Sequence, residues 1–261
     1  MEEMVRELVD KGAEVDAEDG VGRTALTVAL ARGKEAAARA LLEAGAGVNV
    51  GTRRRPLHAA AEKGIVEMLR KLVEKGAEVD AEDGEGRTAL TVALAFGQEC
   101  AARALLEAGA GVNAGTNERP LHAAAEKGTV EMVRELAGKG AEVDAEDGEG
   151  RTALTVALAF GQEAAARALL EAGAGVNAGT GRRPLHAAAG KGMEEMVREL
   201  VDMGAEVDAE FVARDARADL SHADNDGRTP AHWAAVSGHV EALRVLPGGL
   251  FAAVEKGMEE M

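Results

Sequence analysis

Apolar and polar positions along this chain fall into one short pattern that recurs. In residues 86–113 the stretch 89–94 is apolar apart from Thr91, and Thr88 stands just before it. A threonine hydroxyl there can accept an orphan backbone N–H, so a helix is predicted from Thr88 to about Leu94. Gly97 allows a tight turn. Ala102, Leu105 and Leu106 then stand at i, i+3 and i+4, the spacing of one helical face. Gly109 supplies the left-handed exit that commonly closes a helix. From Val112 a polar stretch must cross to the next copy. Nearly the same letters occupy residues 150–177, and a close relative occupies residues 22–49.

Repetition sets the architecture. The equivalent leucines are Leu26, Leu57, Leu90, Leu121, Leu154 and Leu185, separated by 31, 33, 31, 33 and 31 residues. Two unit types therefore alternate with a combined period of 64 residues. Residues 75–116 and 139–180 differ at one of 42 positions, Cys100 against Ala164. Such a period marks a stacked solenoid, in which each unit buries its apolar face only against its neighbours. The long units carry a capping threonine (Thr24, Thr88, Thr152). The short units put Arg55, Arg119 and Arg183 at that place and follow each with proline. Arginine cannot accept the N–H bond, so a cap of about 1 kcal/mol is forfeited, partly offset by proline at a first helical position. From Val48 to Leu57 is 9 steps and from Val79 to Leu90 is 11. Short and long connecting fingers should alternate along one edge.

With these residues in view the chain resembles the ankyrin-repeat family. That family's D-x-x-G-x-T-P-L-H, A-A-x-x-G, E-x-V-x-x-L-L and G-A-D-V-N-A elements recur in every unit. They are fullest in residues 224–246, DNDGRTPAHWAAVSGHVEALRVL, and recur in RPLHAAAEKG at 55–64 and VDAEDGEGRTAL at 79–90. The likeness spans about nine-tenths of the chain and recurs seven times. It implies an all-α ankyrin-repeat solenoid of helix-turn-helix units with short β-hairpin-like fingers. The long units depart from the pattern by reading T-A-L-T, without proline and histidine.

Taken in order, residues 1–210 read as an array: a partial first unit, then six units alternating 33 and 31 residues. MEEMVREL at 1–8 repeats 193–200 letter for letter, as an outer helix without its inner partner. Residues 211–223 read as an irregular insertion with a duplicated finger, 224–246 as a seventh unit, and 247–261 as a truncated unit. LFAAVEKGMEEM at 250–261 resembles 185–196. Terminal units of a solenoid normally carry a polar outer face, and neither end shows one. A fragment of a longer array and end-to-end self-association through uncapped termini both fit.

Composition narrows the chemistry. Aromatic residues make up 2% with no tyrosine, and small and branched aliphatics carry the apolar 46%, which suits thin layers of closely packed helices. A formal charge of −16 argues against nucleic acid, whose affinity comes from cations neutralising phosphates, and against an anionic membrane surface. Acidity either keeps a long surface soluble or steers a basic partner. One cysteine, Cys100, excludes an internal disulfide. Ala164 in the equivalent place suggests that Cys100 fills a small apolar slot. No secretory signal is evident, and no apolar run approaches the ~20 residues of a membrane span. A cytoplasmic location is expected, with the nucleus also open.

No catalytic, cofactor or metal constellation is expected. His58, His122 and His186 are 64 residues apart. The resemblance places them at a structural histidine that ties the connecting finger by hydrogen bonds. His232 and His239 match family positions, and His222 stands alone. The acidic fingers, Asp80-Ala81-Glu82-Asp83-Gly84-Glu85 and copies, lack calcium-loop spacing and read as solvated tips. No nucleophile–base pair, phosphate loop or H-E-x-x-H occurs.

The resemblance implies that a partner protein contacts the finger tips and the two residues before each inner-helix glycine. Among the latter are Arg32, Glu62, Lys63, Phe96, Glu126, Lys127, Phe160 and Lys191. Copy-to-copy differences at the fingers add Glu85, Asn117, Glu118 and Glu149. Phe96 and Phe160 are half of the chain's four phenylalanines. Each is either a partner anchor or packed beneath a neighbouring finger. The expected function is a non-catalytic protein-protein interaction module, the alternative a structural spacer or scaffold arm of a larger protein.

Overall fold

The computed structural model describes residues 4–5, 7–8, 11–51, 54–116, 118–206, 230–239, 242 and 246. Thirteen helices lie among them. In chain order these are α1 (Ala25–Ala31), α2 (Glu35–Glu43), α3 (Pro56–Lys63), α4 (Val66–Glu74), α5 (Ala89–Ala95), α6 (Glu99–Glu107), α7 (Pro120–Lys127), α8 (Val130–Gly138), α9 (Ala153–Ala159), α10 (Glu163–Glu171), α11 (Pro184–Gly190), α12 (Glu194–Asp202) and α13 (Pro230–Val236). Inner and outer helices alternate, and no sheet forms among the described residues. The fold is an all-α repeat solenoid. Met4, Val5, Glu7 and Leu8 are helical as well. The insertion expected at 211–223 and the truncated unit at 247–261 lie outside the described residues.

Two compact units divide the chain, Met1–Ala124 and Ala125–Met261. In the first, α3 packs between α1 and α5, while α4 packs on α6. In the second, α11 packs between α9 and α13, and α8 on α10. The inner helices are built for close stacking. ALTVALA in α5 buries every residue from Ala89 to Leu94, because alanines on its faces let two neighbours approach at once. Outer helices bury one stripe only: Met68, Leu69 and Leu72 in α4, and Met196, Val197 and Leu200 in α12.

Helix starts follow the two unit types. Thr24, Thr88 and Thr152 each accept the N–H three residues on, at 3.3, 3.3 and 3.4 Å. Arg55 and Arg183 make no cap bond and are followed by proline. Their guanidinium groups instead reach the next copy's loop, Arg55 to Glu78 and Arg183 to Glu206, at 2.6 Å each. In the long fingers, short antiparallel bridges join Glu82 to Thr88 and Glu146 to Thr152.

Candidate protein-interaction surface

The inner-helix ends place the residue before each glycine differently. Phe96 and Phe160 are the C-cap residues of α5 and α9. Each leaves the helix as its last turn ends, and the two residues are 50% and 49% exposed. Each phenylalanine therefore keeps about half of its surface open to solvent. In the first long unit the same place holds Arg32, which is exposed. In the short units, Lys63, Lys127 and Lys191 are exposed at their helix ends.

The preceding glutamates are less available. Glu62 is half-buried and paired with Arg54, with Lys63 at 3.3 Å on its other side. Glu126 is half-buried, and its carbonyl oxygen accepts from Gln162 Nε2 at 3.1 Å. Gln98 stands at the equivalent place in the first unit, close enough to Gly64 that a β-carbon there would strike its amide. These glycines therefore serve two needs, a left-handed C-cap at Gly64 (φ 68°) and room for the glutamine.

Arg54 and Arg182 occupy equivalent places before α3 and α11 but find different partners. Where Arg54 pairs with Glu62, the equivalent residue of α11 is Gly190. The Arg182 guanidinium carbon stands over Trp233, 3.9 Å from the ring centre, and the side chain donates to the His186 carbonyl at 3.1 Å. A β-carbon on Gly190 would collide with the Arg182 guanidinium. Arg182 and Trp233 were not singled out from sequence, although the Glu-to-Gly change at position 190 was the available signal.

At the fingers Asp80, Glu82 and Glu85 are exposed, as are Asp144, Glu146 and Glu149, in keeping with solvated tips, while Asp83 and Asp147 depart from that expectation. The Glu85 and Glu149 side chains are 72% and 71% exposed beside Arg87 and Arg151. The Asp83 and Asp147 side chains are 4% and 8% exposed. Asp83 accepts the N–H groups of Glu85 and Arg87 at 2.8 and 3.1 Å and the Arg87 guanidinium at 3.0 Å. Asp147 does the same with Glu149 at 2.8 Å and with the backbone and side chain of Arg151 at 2.9 and 2.8 Å. Burial alone would raise both carboxyls, but the hydrogen bonds outweigh it and hold them below the ordinary aspartate value. Asp80 accepts the Gly111 N–H at 2.8 Å, and Glu82 accepts the Thr116 hydroxyl at 3.1 Å. These acids organise the fingers.

The remaining expected residues fall into place as follows. Glu118 is half-buried, and its carbonyl oxygen accepts from the Thr91 hydroxyl at 3.4 Å. Asn117 lies outside the described residues. Cys100 is exposed, not slotted into the core. The buried stripe of α6 runs through Ala101, Ala102 and Leu105, which turns position 100 outward. Ala164 is exposed in the same way.

His58 is buried in α3 and pairs with the Arg87 carbonyl at 3.0 Å, tying that helix to the following finger. Burial depresses its pKa, and the bond to Arg87 only partly counters this. Among the described residues no group of His, Cys, Asp or Glu has metal-site geometry. No helix among them is long and apolar enough to cross a membrane.

A family model for ankyrin repeats matches residues 48–116, 111–180 and 173–249 as three copies. The chain belongs to the ankyrin-repeat family. It is 37% identical over 166 residues to ankyrin repeat and SOCS box protein 16 of Homo sapiens, covering 59% of this chain and 36% of that protein. The Mus musculus protein of the same name is 36% identical over 205 residues, covering 61% and 45%. The chain thus spans less than half the length of these curated relatives. The crystal structure of the human ASB11 ankyrin repeat domain superposes with a TM-score of 0.71 at 29% identity, over 85% of this chain and 98% of that one. Ankyrin repeats are a general protein-protein interaction module, and this chain is built of them.

Proposed function

We propose that the chain is a non-catalytic module that receives a protein partner at its inner-helix ends and finger tips. The half-exposed residues Phe96 and Phe160 carry this reading. The aromatic content is 2%, so two phenylalanines held outside the core at equivalent places are the natural anchors of an interface. Arg32, Lys63, Lys127 and Lys191 supply polar contacts beside them, with Glu62, Glu118 and Glu126 set further in. The exposed tips Glu85 and Glu149, with Asn117 as a further finger contact, and the charge of −16 favour a partner with a basic surface. Neither nucleic acid nor membrane suits that charge. No catalytic, cofactor or metal role is assigned, and the cytoplasm or nucleus is the expected location.

A second reading rests on the near-identity of the copies and on the chain's covering only 36% and 45% of its relatives. In it, the array is a scaffold arm or spacer of a larger protein. Phe96→Ala and Phe160→Ala separate the two. As a binding module the doubly substituted chain loses a captured partner by about tenfold or more in affinity, with its circular dichroism unchanged. A spacer keeps every partner through the same substitutions.

A further inference from the structure

The second compact unit carries three exposed residues at one recurring place. Lys127 ends α7, and Phe160 and Lys191 are the C-caps of α9 and α11. Each is exposed, and each is followed by a left-handed glycine, Gly128, Gly161 and Gly192, at φ 74°, 75° and 68°. The same turn therefore starts the three side chains in equivalent directions. Successive copies bring them side by side. Gln162 donates to the Glu126 carbonyl at 3.1 Å, and α11 packs on α9. Along this edge the order is cation, aromatic, cation.

Among the described residues neither lysine is held in an ion pair. Lys191 stands between Gly190 and Gly192, so no carboxylate neighbours it in the chain. Glu126, before Lys127, is half-buried. The first unit differs. There Arg32 and Lys63 precede Phe96, and Lys63 lies 3.3 Å from the Glu62 carboxylate. The second unit instead presents two uncommitted ammonium groups, one on either side of a phenylalanine. A formal charge of −16 repels an anion from afar, but that field is screened over about 8 Å in physiological salt. At contact the local ammonium groups decide.

Neighbouring helices pack about 8–10 Å apart, so Lys127 and Lys191 are separated by two such steps. A β-strand cannot match this spacing, because residues three apart point to opposite faces. A polyproline II segment can. Three of its residues make one turn of about 9 Å, and residues i, i+3 and i+6 share a face. We propose that the ends of α7, α9 and α11 receive an extended polyproline II segment of the partner with the pattern acid-x-x-apolar-x-x-acid. The two acids meet Lys127 and Lys191, and the apolar residue packs on Phe160. The proposal rests on the reading of the inner-helix ends as the receiving surface, and it divides the partner. The acidic segment lies on the helix ends, while a basic surface faces the finger tips.

Fluorescence anisotropy of the full chain with labelled synthetic peptides tests it. The probe is Glu-Pro-Pro-Leu-Pro-Pro-Glu. Comparison peptides carry Gln or Lys in place of both Glu, or lack one Pro on each side of Leu. The parent chain should bind the probe, and bind the glutamine and shortened peptides about fivefold or more weakly. Lys127→Glu with Lys191→Glu should weaken binding by about tenfold or more, as should Phe160→Ala. Lys139→Glu, the same change of charge at the end of outer helix α8, should leave it unchanged. Lys127→Gln with Lys191→Gln is the second variant should the double reversal fail to match the parent's circular dichroism. A probe that does not bind at millimolar concentration, or a glutamine or shortened peptide that binds equally, would overturn the proposal. If the lysine peptide binds instead and Phe160→Ala abolishes that binding, the acidic segment is wrong and the receiving surface stands. If the probe binds but ignores both Phe160→Ala and the lysine reversal, the receiving surface falls as well.

Discussion

The finger of residues 79–88 and the finger of residues 112–119 stand beside each other in the first compact unit, yet they are held by different means. In the longer one the Asp83 carboxylate gathers two backbone N–H groups and the Arg87 guanidinium, and the Asp83 N–H returns to the Arg87 carbonyl at 2.9 Å. That turn is closed by its own atoms. The shorter finger has no such aspartate. Its Thr116 donates its N–H to the Gly86 carbonyl at 3.1 Å and its hydroxyl to Glu82 at 3.1 Å, both on the longer finger. In the second unit the Gly181 N–H reaches the Gly150 carbonyl at 3.1 Å, and the Thr180 hydroxyl reaches Glu146 at 2.6 Å. Removing two residues from a finger thus moves its hydrogen bonds from itself to its neighbour. Long fingers are the supports, and short fingers depend on them.

The dependence is broken most severely at Asp83. Asp83→Ala removes a buried ionised acceptor of several hydrogen bonds, and about 2–3 kcal/mol of unfolding free energy should be lost. In hydrogen exchange the Thr116 amide should lose protection together with those of Glu85 and Arg87. Thr116→Val should leave the Glu85 and Arg87 amides as protected as before. Equal loss in both directions would show that the fingers hold each other mutually. Acid should act on the same groups. Asp83 and Asp147 are held below their ordinary value, so as pH falls below about 3.9 the unfolded chain takes up protons that the folded chain still refuses. Stability present above that pH declines through the window down to the folded values. Asp83→Asn with Asp147→Asn should flatten this acid limb in urea titrations across pH.

Much of this was legible from one copy compared with the next. The threonine caps and the cap-less Arg-Pro starts follow from residue types at fixed offsets, and Thr24, Thr88, Thr152, Arg55 and Arg183 stand where the pattern put them. The fingers were less legible. Asp80, Glu82, Asp83 and Glu85 are four acids within six residues, and composition alone makes them one solvated cluster. Their roles separate only when the turn folds, because Asp83 faces inward to N–H groups two and four residues on, while Glu85 points out. Cys100 was misplaced for a related reason. A change from Ala to Cys is read as a small apolar slot, but the helical phase set by Ala101, Ala102 and Leu105 turns position 100 outward. Phe96 could be read either way, since its position after Ala95 lies where the helix ends and periodicity no longer predicts a face.

A smaller effect separates the two kinds of helix start. Thr88 is buried, caps α5 through the Thr91 N–H, and lies 3.2 Å from the Thr91 hydroxyl. Thr88→Ala should lower stability by about 1 kcal/mol. Arg55 at the matching place of α3 contributes only the half-exposed pair with Glu78. Arg55→Ala should cost no more than about 0.5 kcal/mol, and less in high salt. Guanidinium melts of the two variants at low and high salt check this. A salt-independent loss in Arg55→Ala would mean that the stem, packed over α3, contributes more than the charge.

The finest difference is a single atom in the link between copies. Asn49 accepts the Glu78 N–H at 3.0 Å and donates to the Gly76 carbonyl at 3.0 Å, and Asn177 repeats both bonds with Glu206 and Gly204. At the equivalent places Asp16, Asp80 and Asp144 accept the matching N–H of Gly47, Gly111 and Gly175, each at 2.8 Å. A carboxylate has no N–H to offer the carbonyl two residues earlier, so the aspartate link carries one bond where the asparagine link carries two. Asn49→Asp should therefore cost about 0.5 kcal/mol in this exposed setting, and Asp80→Asn should be neutral or gain a similar amount as its amide reaches the Gly109 carbonyl. The aspartate bonds are also the shorter ones, as expected when the acceptor is ionised. An Asp80→Asn chain that melts lower than the parent would show that the charge on that acceptor outweighs a second hydrogen bond. The alternation of Asn and Asp along the array would then be an electrostatic choice rather than a count of bonds.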